Sequence, residues 1–213
     1  MSTIVTVLEW FGIVVFAITG ALVASRKQMD VFGFALLGTV TGVGGGTLRD
    51  LVLGKLPVFW VMQPAYIGVC VAVSVLVFFT AHIPESRYRL LLWLDAVGLA
   101  LFSVTGAEIG IEAGTAASIA IVMGVITATF GGIVRDVLGG EVPLLLRKEI
   151  YVTAALLGAA VLVVCVEAGL PRTLALTAGF ASAFALRALA LVFGWSLPAY
   201  RPRPGRNHNP PGT

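Results

Sequence analysis

Charged residues are scarce in this sequence. Asp, Glu, Lys and Arg together make up 12% of its 213 residues, roughly half the share found in soluble domains. Hydrophobic residues make up 58%, and the mean hydropathy is +0.99. A chain with so few charges cannot cover the surface of a soluble globule, which excludes the ordinary water-soluble classes. The composition therefore predicts an all-α integral membrane protein.

Cysteine and histidine are also scarce, with two of each. Cys70 and Cys165 lie in separate apolar blocks, and His82 and His208 stand alone, so none has the spacing of a metal or redox site. No phosphate-binding loop or nucleophile motif is present. The sequence predicts a protein that is not an enzyme, has no cofactor or resident metal, and does not bind nucleic acid.

Long apolar stretches dominate the chain instead. A helix needs about 20 residues to cross roughly 30 Å of hydrocarbon. Seven blocks of about this length are present, at residues 4–24, 31–53, 64–82, 90–109, 115–138, 150–168 and 173–194. The connectors are short, so we expect no sizeable soluble domain. The first block carries Glu9 and has a counterpart later in the chain, so we expect a membrane helix there and not a targeting segment.

The sequence contains an internal duplication. Residue n matches residue n+86 without a gap from Leu8 to Gln63, and fourteen of these 56 positions are identical. Each copy holds three crossings, an odd number, so the second copy begins on the opposite side of the membrane. We therefore predict seven transmembrane helices arranged as two inverted three-helix repeats plus one extra helix. The ranges are 1–86 and 87–171 for the repeats, 172–197 for the seventh helix and 198–213 for a disordered cytoplasmic tail.

Basic residues are unevenly distributed between the connectors. The connectors after the first, third and fifth blocks, together with the tail, hold nine Lys and Arg, whereas the opposite connectors hold only Lys55 and Arg172. Cytoplasmic connectors carry the excess of basic residues in membrane proteins. We therefore expect a multi-pass protein of the inner (plasma) membrane, with the N-terminus outside and the C-terminus in the cytoplasm.

Glycines cluster in the second and fifth blocks, at Gly44, Gly45 and Gly46 and at Gly131 and Gly132. Glycine costs about 1 kcal/mol relative to alanine inside a helix, so each cluster predicts a break or kink. Backbone groups freed by a break would face protein or water, where carbonyls can replace part of the hydration shell of a small cation. The alternative is that these glycines only allow two helices to pack closely.

An Arg-Asp pair follows each cluster directly, as Arg49-Asp50 and Arg135-Asp136. Charges at membrane depth need partners. Neighbouring helix residues point about 100° apart and pair poorly, so we hypothesise pairing between the copies, Arg49 with Asp136 and Arg135 with Asp50. A static ion pair that only holds helices together is the alternative. Arg187 is expected to reach the cytoplasmic surface and to have no functional role.

One face of the first block repeats in the fourth. The two sets are Glu9, Gly12, Phe16 and Thr19, and Asp95, Gly98, Phe102 and Thr105. A carboxylate, small residues and a hydroxyl on one face would suit the lining of a hydrated cation path. Tight packing against the glycine-rich helix is the alternative reading.

The sequences Gly-Gly-Gly-Thr-Leu-Arg-Asp at 44–50 and Gly-Gly-Ile-Val-Arg-Asp at 131–136, each followed by Gly and Pro, resemble the trimeric intracellular cation channel family. The likeness is to its bacterial members, which also carry the label of a glycine transporter domain. It implies a homotrimer in the bilayer, with a pore in each subunit for monovalent cations such as K⁺ and Na⁺, lined by kinked second and fifth helices. Phe130 stands where the first cluster has Gly44, and we expect it to narrow the path.

The sequence thus predicts a monovalent cation-selective channel. The glycine segments would form its constriction, and Arg49, Asp50, Arg135 and Asp136 would stabilise or gate it. Two alternatives remain: a secondary transporter of a small solute such as an amino acid, using the same segments as a binding site, and a scaffold whose repeats only mediate helix packing.

Overall fold

The computed structural model describes residues 3–84, 86–147 and 149–198. Within these ranges the regular structure is helical, apart from one isolated antiparallel bridge between Glu149 and Ser196. The eight α-helices of this part are α1 (Thr3–Arg26), α2 (Val31–Val52), α3 (Phe59–Met62), α4 (Ala65–Thr80), α5 (Arg87–Glu112), α6 (Ala117–Leu138), α7 (Val152–Glu167) and α8 (Arg172–Phe193). A 3-10 turn, Leu144–Leu146, separates α6 from α7. The predicted tail from residue 199 onward lies outside the described residues.

Each of the seven predicted apolar blocks contains a helix. Five of them, α1, α2, α5, α6 and α8, are long and apolar enough to cross a membrane. The other two, α4 and α7, are apolar helices of 16 residues each, or about 24 Å at 1.5 Å per residue. The short helix α3 was not predicted, because four residues leave no periodic pattern to detect.

Helices α2 and α6 end in the same glycine-dependent motif. Gly54 and Gly140 adopt the left-handed conformation, with φ of 66° and 63°. Past each glycine the chain turns back, so that Lys55 N donates to Asp50 O and Glu141 N to Asp136 O, both at 2.8 Å. This is the hydrogen-bond pattern of a Schellman C-cap, which favours glycine at the left-handed position. The in-register glycines of the duplication therefore stop both helices at equivalent points.

Helices α1, α2, α5 and α6 form the centre of the bundle; α4 packs against α1 and α2, and α7 and α8 pack against α5. The two halves make reciprocal contacts at this centre. A Cβ on Gly12 would come 2.7 Å from the Phe102 ring, and a Cβ on Gly98 would overlap the Phe16 ring. The two rings meet edge to face with centroids 5.0 Å apart. The duplication thus extends from the sequence to the contacts between α1 and α5.

Candidate functional site

The first ion cluster consists of Glu9 on α1 and Arg49 and Asp50 at the end of α2. Arg49 Nη1 donates to Glu9 Oε1 at 2.7 Å, and Arg49 Nε donates to Asp50 Oδ1 at 2.9 Å. Asp50 Oδ2 accepts from the backbone N–H of Phe59, the first residue of α3, at 2.9 Å. All three charged side chains are buried, and each has its hydrogen-bond partners within the protein.

The second ion cluster repeats this arrangement with Asp95 on α5 and Arg135 and Asp136 at the end of α6. Arg135 Nη1 donates to Asp95 Oδ1 and Arg135 Nε to Asp136 Oδ1, both at 2.8 Å. Asp136 Oδ2 accepts from the N–H of Leu144, the first residue of the 3-10 turn, at 2.9 Å. Arg135 and Asp95 are 0% exposed, so this cluster is the more deeply buried of the two.

The hypothesis of pairing between the copies is wrong. Arg49 binds Glu9 and Asp50, and Arg135 binds Asp95 and Asp136, so each arginine finds its partners inside its own repeat. An arginine can pair with the residue next to it on a helix because a guanidinium presents several N–H donors in different directions. Its Nε reaches the carboxylate next along the chain, while Nη1 reaches the helix before. The partners Glu9 and Asp95 were marked by the duplication, which aligns the two acids.

The two clusters lie at different levels of α1. The first cluster contacts α1 at Glu9, and the second contacts it at Thr19, whose Oγ1 accepts from Arg135 Nη1 at 3.0 Å. Ten residues of α-helix separate these contacts, or about 15 Å along the axis. Each cluster sets one arginine against two carboxylates. A formal charge of −1 therefore remains in each, at two depths of the bundle.

Aromatic packing occupies the space between the two levels. Phe16, which lies between Glu9 and Thr19 along α1, is 0% exposed, and Phe102 is 4% exposed. Phe16 also lies against Gly131, where an added Cβ would come 3.2 Å from its ring. Gly12, Phe16, Gly98 and Phe102 thus pack α1 against α5, and Phe16 also packs against the glycine-rich α6; that this face borders a cation path stays a prediction.

The glycine clusters do not break their helices, so the expected break is absent. Both α2 and α6 run as continuous helices through them, and a kink at the glycines stays a prediction. The glycines let the two helices cross at backbone contact: a Cβ on Gly45 would overlap the Thr127 carbonyl, and one on Gly131 would overlap the Thr41 carbonyl. The helix hydrogen bonds survive because the crossing stabilises the segments that glycine alone would weaken.

The other three glycines of the clusters differ in their surroundings. A Cβ on Gly46 would come 2.7 Å from the Phe59 ring, and one on Gly132 would come 2.9 Å from the Tyr151 hydroxyl. For Gly44 the nearest atom is the Cα of Gly131 at 3.5 Å, an ordinary contact. Gly44 is thus the least confined member of the first cluster.

The two candidate threonines have different partners. Thr19 Oγ1 donates to Phe16 O at 2.8 Å while it accepts from Arg135. Thr105 Oγ1 donates to Leu101 O at 3.0 Å, in its own helix. Thr19 therefore belongs to the second ion cluster, and Thr105 satisfies a carbonyl of α5.

Phe130 is half-buried and lies beside the α2–α6 crossing. It lines an apolar groove of about 380 Å³ together with Val40, Gly44, Trp60 and Val134. Whether it narrows an ion path stays a prediction.

Contrary to the expectation from the sequence, Arg187 does not reach the surface. It is 1% exposed, donates through Nη2 to Glu149 Oε2 at 2.8 Å, and donates through Nη1 to Ile150 O at 3.0 Å. Its guanidinium carbon lies 5.3 Å from the centre of the Tyr151 ring. Sequence reasoning missed Tyr151, although it stands 85 residues after Tyr66 and so nearly in register with it.

Comparisons with known proteins all indicate the same family. The family model described as "Glycine transporter" matches twice, at residues 6–82 and 92–167, and the two matches begin 86 residues apart. Among curated relatives, the inner membrane protein YadS of Escherichia coli K12 is 46% identical over 71% of this chain and 73% of its own length. A membrane protein of Vibrio cholerae is 38% identical over 93% of this chain and 84% of its own length.

Solved structures agree with this likeness. The TRIC trimeric intracellular cation channel orthologue from Rhodobacter sphaeroides shares 64% identity and a TM-score of 0.90, covering 91% of this chain and all of that one. A second structure, described as a TRIC cation channel, shares 34% identity and a TM-score of 0.83 over 93% of this chain and 98% of its own. With its apolar helices and its matched relatives, the chain is a multi-pass membrane protein that belongs to the bacterial branch of the trimeric intracellular cation channel family.

Proposed function

We propose that the protein is a channel selective for monovalent cations, K⁺ and Na⁺, with one conduction path in each subunit of a homotrimer. The proposal is supported by the likeness to structures described as TRIC cation channels. The observation that carries it from this chain is the pair of buried ion clusters, each with two carboxylates against one arginine.

In the proposed arrangement the chain crosses the inner (plasma) membrane seven times. The N-terminus lies outside and the C-terminus lies in the cytoplasm. The two three-helix repeats are inverted with respect to each other. The duplicated C-caps, the reciprocal Gly–Phe contacts and the two ion clusters at different depths support it, because an inverted pair carries equivalent features to opposite ends of the bundle.

In this proposal the conduction path follows the centre of α1, α2, α5 and α6 between the two clusters. The pair Phe16–Phe102 and the α2–α6 crossing close it in the conformation described here. Opening separates α2 from α6 at the crossing, so that Gly44, Gly45, Gly46, Gly131 and Gly132 line the path. A glycine-lined crossing suits this movement, because no side chains interlock there.

The residual charge of the clusters supports cation over anion passage. A permeating ion meets a formal −1 at the Glu9 level and again at the Asp95 level, which lowers the free energy of a cation and raises that of an anion. Arg49 and Arg135 are held by their carboxylates, so they stabilise the two ends of the path and do not present free positive charge to it.

Purified full-length protein reconstituted in planar bilayers tests the proposal. Discrete current steps in KCl are expected, with a reversal potential in a KCl gradient that lies near the value for K⁺. Native mass spectrometry of the same preparation is expected to give three subunits. A carrier for a small amino acid is the second candidate, and the description of the matching family model favours glycine as its first test solute. Saturable glycine uptake without current steps would favour the carrier over the channel. Absence of both uptake and current would favour the scaffold.

A further inference from the structure

Buried polar atoms without a partner gather at the second ion cluster. In the described part of the chain six buried side-chain atoms lack a hydrogen-bond partner, and three of them are Asp95 Oδ2, Arg135 Nη2 and Tyr151 Oη. Within residues 3–84, no atom of Glu9, Arg49 or Asp50 is in this state. Buried polar groups in native proteins are almost always hydrogen-bonded, to the protein or to ordered water. The second cluster therefore still requires hydrogen-bond partners, whereas the otherwise equivalent first cluster does not.

Two of the three unpartnered atoms border one position, the missing side chain of Gly132. A Cβ at this glycine would come 2.9 Å from Tyr151 Oη and 3.6 Å from Arg135 Nη2, and it would come 3.7 Å from Oδ1 of the Asp95 carboxylate, the oxygen that already accepts from Arg135 Nη1. In the first repeat the corresponding Gly46 faces the apolar ring of Phe59. Glycine at 132 thus leaves a polar recess, and glycine at 46 leaves an apolar one.

The chemistry of the recess selects its occupant. Arg135 Nη2 only donates, the Asp95 carboxylate only accepts, and the Tyr151 hydroxyl does either. A bare cation would be repelled by the Arg135 guanidinium, and an anion would be repelled by the Asp95 carboxylate. A water molecule accepts from Arg135, donates to Asp95 and exchanges a third bond with Tyr151, which is the usual number for a buried water.

We propose that the second ion cluster binds an ordered water molecule between Asp95, Arg135 and Tyr151, beside Gly132, and that the first ion cluster binds none. Its further role, as a fixed hydration point at one end of the conduction path, rests on the proposed channel function. The binding site itself does not depend on that function.

The sign of a stability change tests the site. Tyr151→Phe removes one hydroxyl from the fully buried recess. If water bonds that hydroxyl, the melting temperature of the full-length protein in detergent falls by a few degrees, and by more than for the matched variant Tyr66→Phe. If the recess is dry, the substitution removes an unsatisfied polar group and the melting temperature rises. An unchanged or raised value overturns the proposal.

Radiolytic hydroxyl labelling of the unmodified protein gives a second readout that does not depend on a variant. Bound water generates radicals in place, so Tyr151 is expected to be labelled several-fold faster than Tyr66, the buried tyrosine of the first repeat. Labelling of Tyr151 no faster than that of Tyr66 contradicts the site. Neither readout uses ion flux. A labelled Tyr151 in a protein that does not conduct would uphold the water site and overturn the channel, and an unlabelled one in a conducting protein would do the reverse.

Discussion

Arg135 Nη1 lies 2.8 Å from Asp95 Oδ1, and neither side chain has any exposed surface. The same guanidinium binds its chain neighbour Asp136 through Nε. An arginine buried in this way neutralises one of two buried carboxylates. Removing it leaves both carboxylates without their partner and a formal charge of −2, whereas removing it together with one carboxylate keeps the formal charge of the cluster at −1.

Substitution of Arg135 is therefore expected to be strongly destabilising. Arg135→Gln should lower the free energy of unfolding by about 3–5 kcal/mol, the usual cost of leaving a buried charge without its partner. Adding Asp95→Asn should restore part of that loss, because the pair is removed as a unit. Denaturant titration of the detergent-solubilised variants, arranged as a double-mutant cycle, measures the coupling.

The matched control for this cycle combines Arg135→Gln with Asp50→Asn, from the other repeat. No contact joins Asp50 to Arg135, so these effects should add to within about 0.5 kcal/mol. A rescue by Asp50→Asn as large as that by Asp95→Asn would revive pairing between the repeats.

Adjacent glycines of the first cluster should respond oppositely to alanine. Gly45→Ala places a methyl group inside the Thr127 carbonyl, so α2 and α6 must separate, and we expect a lower melting temperature and loss of monodisperse protein. Gly44→Ala meets only an ordinary contact with Gly131 and should be neutral or stabilising by up to about 1 kcal/mol. Size-exclusion chromatography and thermal unfolding compare the two. Equal effects at both positions would contradict the close crossing.

Neutralising one carboxylate of the first ion cluster should weaken cation selectivity. Glu9→Gln keeps an oxygen that accepts from Arg49 but removes the residual negative charge at that level. The reversal potential in a KCl gradient should shift from the K⁺ value toward zero. The control is Glu167→Gln at the exposed end of α7, which should leave it unchanged. An unshifted potential for Glu9→Gln would place the ion path away from this cluster.

Shortening an aromatic side chain between the clusters should ease ion passage. Phe102→Leu removes the ring that meets Phe16, so single-channel conductance or open probability should rise. Phe34→Leu is the control, because that buried ring packs against Phe78 instead and its loss should affect stability alone. Identical currents from Phe102→Leu and the parent protein would exclude the Phe16–Phe102 pair as the constriction.

The helices were predictable from the sequence, since the length of an apolar run decides whether a segment becomes a membrane-length helix. The ends of α2 and α6 were marked in the same way, by the in-register glycines Gly54 and Gly140. The sequence could not predict the structure at the inner glycines, because a helix break and a close helix crossing both need glycine and differ only in what the opposite helix presents. The close contact between Gly45 and the Thr127 carbonyl shows that a crossing forms there.

Local sequence also could not assign the arginine partners. Adjacent residues on an ideal helix diverge, yet Arg49 and Arg135 bind their neighbours, because a long flexible side chain with several donors overrides the angle of the backbone. The positions of Arg187 and Tyr151 were equally hidden, since both depend on how α7 and α8 pack against α5.

By itself the sequence determined the membrane character, the number and order of apolar helices and the duplication, because hydrophobic length and repeated spacing are properties of the chain alone. Tertiary packing decided which charges meet, where the glycines touch, and why one ion cluster retains unpartnered polar atoms while its counterpart does not. Those outcomes depend on distances of a few ångströms between segments far apart in the chain, and such distances exist only once the helices are packed together.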